Sequence, residues 1–408
     1  MKYIKQDIIK VGKAILKLGL QNSHSGNISV RIDNDIYITK TGSMKGHLSE
    51  TDIVGPGLYE PKSGLFQASS ETGTHQKILE YAGSTVHAHS MAATLLSYVT
   101  EVVEPMDYLG KKVLGEVAVL EFEYPVGSRE MEVKIPEILK THPAMIIKTH
   151  GPMTKGANVF EAFFNMNICD YSCEILLNLT KLKISLHAFP VMKYPDFDGY
   201  RVSAGKKDTE DKELIRLFKT VASDMFNMQL SPFHTGSISV QDGKEMLFSP
   251  SAAMPDDFDS EIVKINITDD NNKDYFHRLH QAVYRYSHCQ AAVFTHSPQA
   301  IIQGFRSLSV REDRIIPIDA EGGYLYPAVP IVLPDENMET IIKKAERYKM
   351  VLIAGIGVLA IGHTPTHCLH HNSSIKSICY MKTQLEMMEK TGVVVGISRF
   401  LDKRGKQW

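Results

Sequence analysis

Val86-His87-Ala88-His89-Ser90 is echoed later in the same chain by Val293-Phe294-Thr295-His296-Ser297. The first of these stretches sets two imidazoles two residues apart in a short apolar run. Side chains i and i+2 of a strand share a face, so His87 and His89 stand side by side. A third imidazole is available at His150, in Met145-Ile146-Ile147-Lys148-Thr149-His150-Gly151, where an apolar strand ends at a glycine turn. Three protein ligands and one open position are the usual make-up of a catalytic zinc site. The chain holds 17 histidines, so one such pair also arises by chance. The rest of the sequence has to decide.

Working outward, the echo extends to the whole chain. Gly26-Asn27-Ile28-Ser29-Val30 returns as Gly236-Ser237-Ile238-Ser239-Val240, and Ile38-Thr39-Lys40-Thr41 as Phe248-Ser249-Pro250-Ser251. Ile147-Lys148-Thr149-His150-Gly151 returns as Ile353-Ala354-Gly355-Ile356-Gly357. All matches fall in order, roughly 210 residues apart, which is the mark of a duplicated fold. We read a first domain at 1–190, a linker at 191–207 carrying Pro195, Gly199 and Gly205, and a second domain at 208–408. In the second copy Phe294 replaces His87 and Ile356 replaces His150, and Asn272-Lys273-Asp274 is the expected match of Ser69-Ser70-Glu71. One remaining histidine, His296, does not make a catalytic metal site.

Local periodicity supplies the elements. Ile4, Ile8, Val11, Ile15 and Leu18 predict an amphipathic helix over 4–20, closed by Gly19. Strands are expected at 28–31, 36–39, 85–89, 117–122 and 145–149, with helices at 71–82, 91–98 and 158–179. Ser70 is the expected cap of the helix beginning at Glu71. Net charge is -2 with 23% charged residues, which argues against a nucleic-acid binder. The apolar run 350–361 is too short to span a bilayer. Five cysteines without a CxxC pair, and an N-terminus without a signal-like core, suit a cytoplasmic protein. Cys169 and Cys173 read as buried thiols, and Lys343-Lys344 with Lys403, Arg404 and Lys406 as solvated surface. Thr366-His367-Cys368-Leu369-His370-His371 looks metal-like, yet the repeat places it at the start of a helix away from the site.

Ser25-Gly26-Asn27-Ile28-Ser29-Val30-Arg31, Thr41-Gly42, Ser69-Ser70-Glu71, His87-Ala88-His89 and Thr149-His150-Gly151 occur in that order. Together they resemble the class II aldolase/adducin family, over 1–185 and, faded, over 208–392. The resemblance implies an α/β fold: a three-layer α/β/α domain with a largely antiparallel central sheet, here in tandem. It implies a divalent metal on His87, His89 and His150, zinc first, with manganese, cobalt or iron as alternatives. It makes Glu71 the acid/base and Tyr108 a second proton carrier. It assigns Asn27, Thr41, Gly42, Ser69 and Ser70 to a sugar phosphate. Backbone N–H groups, an amide and hydroxyls at a helix start suit that task, and Lys45 or Arg31 would add charge.

The function so implied is retro-aldol cleavage of a small phosphorylated ketose such as fuculose 1-phosphate, through an enediolate stabilised by the metal. A 4-epimerase, dehydratase or decarboxylase on the same scaffold is the alternative, and an adducin-like binding protein a further one. No membrane or nucleic-acid partner is expected. A homo-oligomer is expected, two tandem chains closing a pseudo-four-fold ring.

Overall fold

The computed structural model describes residues 2–55, 68–185, 189, 192–196, 208–250, 262–271 and 273–393. Of the expected linker only 192–196 are described, and Asn272, Lys403, Arg404 and Lys406 lie outside the described residues. The chain divides into two compact units, Met1–Leu177 and Asn178–Trp408.

In chain order the first unit runs α1 (Lys2–Lys17), β1 (Asn27–Ile32), β2 (Asp35–Thr39), β3 (Ile53–Val54), α2 (Thr72–Leu79), β4 (Ser84–His87) and α3 (Met91–Leu96). It continues with β5 (Val102–Val103), β6 (Val117–Leu120), α4 (Arg129–Thr141), β7 (Ala144–Ile147), β8 (Gly151–Gly156) and α5 (Val159–Lys181). The eight strands form one sheet in the order β3-β2-β1-β4-β8-β7-β6-β5. Only β6 and β7 pair in parallel. The other neighbours are antiparallel, and β1 and β2 meet in a hairpin that turns at Asp33, whose φ is 52°. One face of the sheet carries α2 and α4 over a core of Ile78, Met131, Ile135, Leu139, Met145, Ile147 and Met153. Met145 and Ile147 alternate with Ile146, as a strand buried on both faces requires.

The second unit repeats this architecture. Its elements are α6 (Lys212–Asn227), β9 (Ser237–Asp242), β10 (Glu245–Pro250), β11 (Val263–Asn266), α7 (Tyr275–Tyr286), β12 (Ala291–Thr295) and α8 (Pro298–Ser309). Then come β13 (Arg314–Ile315), α9 (Ala320–Leu325), β14 (Val329–Val332), α10 (Met338–Tyr348), β15 (Met350–Ile353), β16 (Gly357–Gly362) and α11 (Pro365–Lys390). The sheet order, β11-β10-β9-β12-β16-β15-β14-β13, reproduces the first. The register agrees residue by residue. Asn27 lies opposite His87 and Ser237 opposite Phe294, while Ile147 faces Gly151 and Ile353 faces Gly357. Helices cover both sheets on two faces, so each unit is a three-layer α/β/α domain with a largely antiparallel sheet. The duplication read from the sequence is a duplication of fold.

Some element boundaries differ from the sequence expectations. Helix α2 begins at Thr72 and ends at Leu79, inside the expected 71–82. Ser70 is not its cap: it is exposed, and Glu71 occupies the cap position without a side-chain cap bond. Strand β4 ends at His87, so His89 lies just beyond it.

Candidate metal centre

Strand β4 carries His87 to the end of the sheet's centre, between β1 and β8. The β7–β8 turn brings His150 beside it. That turn is tight: Thr149 has φ 67° and Gly151 φ 145°. A Cβ on Gly151 would stand 2.3 Å from the Ala88 carbonyl oxygen, so only glycine lets the turn press against the segment 88–89. The three rings converge as a result. Their centroids are 5.0 Å apart for His87 and His89, 4.6 Å for His87 and His150, and 4.5 Å for His89 and His150. One donor atom from each lies within 4.8 Å of the others. His87 is buried, while His89 and His150 are half-buried at the mouth.

His87 Nδ1 lies 2.9 Å from the Pro152 carbonyl oxygen. A carbonyl only accepts, so Nδ1 carries a proton and Nε2 is the atom turned toward the other rings. It lies 3.4 Å from His150 Nε2. Burial pushes His89 down to about 3 and His150 down to about 4, helped by the neighbouring His87. Rings with so low a pKa stay deprotonated, the form in which imidazole binds a divalent cation. The donor set therefore fits the metal that the sequence implies.

Glu71 stands beside the triad, its Oε2 3.7 Å from His87 Nε2. Asn27 Nδ2 donates to that same oxygen at 2.6 Å and to Ser69 Oγ at 2.9 Å. Glu71 Oε1 is buried without a hydrogen-bond partner. Burial works to raise the Glu71 pKa. His87 and the Asn27 amide outweigh it, and the carboxyl sits below its ordinary range. The site thus holds a carboxylate with one oxygen pinned and the other uncommitted.

The expected phosphate-binding residues are gathered on one side. Thr41 Oγ1 donates to the Ala68 carbonyl at 2.8 Å and ties the 41–43 loop to Ser69 and Ser70. Gly42, at φ 69°, has open space where a side chain would be. Both protons of the Asn27 amide are spent on Ser69 and Glu71, so its first observed role is to orient the acid. Lys45 is fully buried with Nζ 2.8 Å from the Ser43 carbonyl, and burial lowers its pKa to about 8 against the pull of Asp52. Arg31 turns away, its guanidinium donating to the Leu79 and Glu80 carbonyls at the end of α2. Tyr108 is buried, 1% exposed, next to Asp107, whose carboxylate accepts from Gly110 N at 2.7 Å.

One contact had no counterpart in the sequence reading. Ser90, next to His89, caps α3 by accepting from Ala93 N, and its hydroxyl donates to the half-buried Asp170 of α5. An acid set between Cys169 and Tyr171, in the buried middle of the helix, was the available signal. The second unit lacks the pair: Ser297 bonds Gln299, and 372–376 contain no acid.

The second unit fills the equivalent place with carbon. His75 bonds Ser29 as His280 bonds Ser239, both at 2.6 Å, and this aligns α2 with α7. Phe276 then stands where Glu71 stands, which corrects the match expected at Asn272-Lys273-Asp274. Asp274 instead caps α7. The Phe276 ring lies 5.1 Å from Phe294 and 5.8 Å from His296, and His296 Nδ1 is taken by the Ile356 carbonyl at 2.6 Å. His371, from the metal-like run in α11, is bonded to Tyr326 OH at 2.8 Å. Among the described residues the first unit's triad is the one cluster of three such ligands.

Comparison with known proteins agrees with this duplication. The pattern of the family described as Class II Aldolase and Adducin N-terminal domain matches residues 6–177 and again 217–383. An L-fuculose phosphate aldolase of Methanococcus maripaludis is 28% identical over 163 residues, 39% of this chain and 87% of that protein. A methylthioribulose-1-phosphate dehydratase of Pseudoalteromonas translucida is 26% identical over 197 residues, covering 44% of this chain and 91% of the other. The crystal structure of an L-fuculose-1-phosphate aldolase from Thermus thermophilus overlaps with a TM-score of 0.43 at 28% identity. It covers 47% of this chain and 100% of that one.

Proposed function

Because the chain belongs to the class II aldolase and adducin family, whose domain it carries twice, we propose that its first unit is a metal-dependent lyase cleaving a small phosphorylated ketose such as fuculose 1-phosphate. The observation that carries this reading is the uncommitted Glu71 Oε1 beside three convergent imidazoles. His87, His89 and His150 would hold a divalent ion, zinc first by its preference for imidazole in open three-ligand sites. When bound, that ion supplies Lewis-acid polarisation of the substrate carbonyl and its neighbouring hydroxyl.

The protein's own groups do the rest. The 41–43 loop, Ser69 and Ser70 receive the phosphate, with Lys45 adding positive charge beneath the loop. The Asn27 amide holds Glu71 Oε2, which leaves Oε1 to carry the proton. As the C–C bond breaks, its electron pair stays on the carbon next to the carbonyl, and the Glu71 carboxylate, after taking up a proton from water, returns one there and is left ionised again. The proton from the departing aldehyde's hydroxyl goes to Tyr108 in this reading, so Tyr108→Phe cuts turnover and leaves metal content intact. The same acid serves dehydration or epimerisation, and the reaction named for the Pseudoalteromonas relative keeps dehydration as the second reading.

Metal-loaded protein is to be assayed with ketose 1-phosphates and pentulose 5-phosphates. Dihydroxyacetone phosphate released from the 1-phosphates, or glycolaldehyde phosphate from the 5-phosphates, supports cleavage; loss of water, or an isomeric product without fragments, overturns it. We also propose that the chain acts as a homo-oligomer of two copies. In support, Met91, Leu95, Tyr98 and Val99 form an exposed apolar stripe on α3 and the turn after it. Sedimentation at a monomer mass would end that part of the reading.

A further inference from the structure

The second unit has lost the metal centre and has gained a basic cavity elsewhere. The cavity measures about 410 Å³, within the range of small-molecule sites. Arg314 of β13 lines one side, and Lys343, Lys344 and Arg347 of α10 line another, with Tyr348 at the helix end and Asp313 at the rim. The chain as a whole carries a net charge of -2, so four converging cations are a local feature.

The first unit supplies an internal control. Arg314 pairs with Pro330 as Val102 pairs with Ala118 in the equivalent strands. Helix α10 is registered on α4 by its buried positions, Ile341, Ile342 and Ala345 matching Ile135, Pro136 and Leu139, and by the bond from Ile361 N to the Lys349 carbonyl, which matches that from Lys155 N to the Pro143 carbonyl. By that register the four cations occupy the positions of Val102, Glu137, Ile138 and Thr141. None of those four is basic, so every one of these charges distinguishes the second copy from the first.

The existing partners leave the charge available. Arg314 Nε and Nη2 donate to both carboxylate oxygens of its exposed neighbour Asp313, at 2.7 and 2.9 Å, a fork that a phosphate would have to displace, and Lys344 pairs with Glu336 at 2.7 Å. Lys343 donates to the Tyr286 carbonyl at 2.6 Å and lies 3.4 Å from Glu346. Exposed pairs of this kind are weak and exchange readily. Arg347 lies over the Tyr348 ring, 5.4 Å from its centroid, and makes no ion pair among the described residues. Arg314 and Arg347 both line the cavity, and guanidinium groups bind phosphate bidentately.

We propose that this cavity is an anion site that takes a small phosphorylated metabolite by its phosphate group. It is independent of the lyase reading and stands or falls without it. The test is hydrogen exchange on the full chain titrated with inorganic phosphate, ionic strength being held with sodium chloride. Saturable protection of 313–315 and 340–348 is expected. Phosphate bound at the first unit's loop protects 41–43 instead and is told apart by location. Arg314→Val with Arg347→Thr, which copies the first unit's residues, should weaken the protection by about tenfold or more. Lys343→Glu is a second variant at an exposed position, should the double change disturb folding. The proposal is overturned by the absence of saturable protection in these segments. It is equally overturned by protection that the variants leave unchanged, or that chloride alone produces.

Discussion

Replacing Glu71 by Gln removes the carboxylate while keeping its shape. The fold should accept it. The Gln carbonyl oxygen can occupy the Oε2 position and still accept from Asn27 Nδ2, now at 2.6 Å from Glu71. The amide NH2 then takes the place of Oε1, which has no hydrogen-bond partner to lose. A carboxyl held below its ordinary range stabilises the folded state when ionised, so stability should fall slightly, by about 1 kcal/mol. Turnover should behave differently. A lost proton carrier costs roughly a hundredfold to ten-thousandfold, which is about 3–5 kcal/mol on the barrier. If Glu71 were only a first-turn acid, the variant would lose under ~1 kcal/mol of stability and no rate. It makes no cap bond, which already weakens that reading. The assay is steady-state release of dihydroxyacetone phosphate by metal-loaded protein, beside a thermal melt of the same preparation. A folded variant with parental turnover would refute the assignment.

Other expectations follow from the same geometry. His87→Ala or His150→Ala should abolish the one bound ion per chain seen by elemental analysis. Retention of the ion in the double variant would rule out this triad. Asp170→Ala strands the Ser90 hydroxyl beside His89 and should cost about 1–3 kcal/mol of stability and weaken metal binding. Asp170→Asn, still able to accept from Ser90, should restore most of both, and equal losses in the two variants would contradict the role. The second unit should be the acid-labile one. Burial lowers His234 and His296 to about 4 and His280 to about 3, so the folded unit stays neutral where an unfolded histidine, at 6.5, takes a proton. Stability is then full above pH ~6.5 and falls as the pH drops toward the folded values, by about 1.4 kcal/mol per pH unit per histidine. In the first unit burial raises Asp107 and Asp170 to about 6. The sign there is opposite, because the folded acids take protons first as the pH falls, and this offsets the first unit's own histidines, His75 and His150 lowered to about 4 and His89 to about 3. Hydrogen exchange at pH 7 and pH 5.5 should show the second unit opening first, and equal or reversed order would refute this.

The sequence by itself determined the duplication, five of the eight strands of the first sheet and the three histidines, because those signals are local. Alternation within a strand, a glycine after His150 and a motif repeated roughly 210 residues on need no knowledge of distant contacts. Only the tertiary structure decided the partners. Asn27 is spent on Glu71, 44 residues away. Arg31 holds the end of α2 instead of a phosphate, and Ser90 reaches Asp170, 80 residues on. The match of Glu71 fell two residues short of Phe276 because Asp274, an acid at a helix start, looks like Glu71 in sequence while it serves as the cap of α7. It took the His280–Ser239 bond between α7 and the sheet to pin it. The four cations of the second unit are likewise inconspicuous in sequence, where Lys343-Lys344 reads as solvated surface. They become a cluster once α10 packs beside the β13–β14 pair and carries its charges across to Arg314. Which groups a side chain meets is set by packing between elements, and that information is not held in any short stretch of chain.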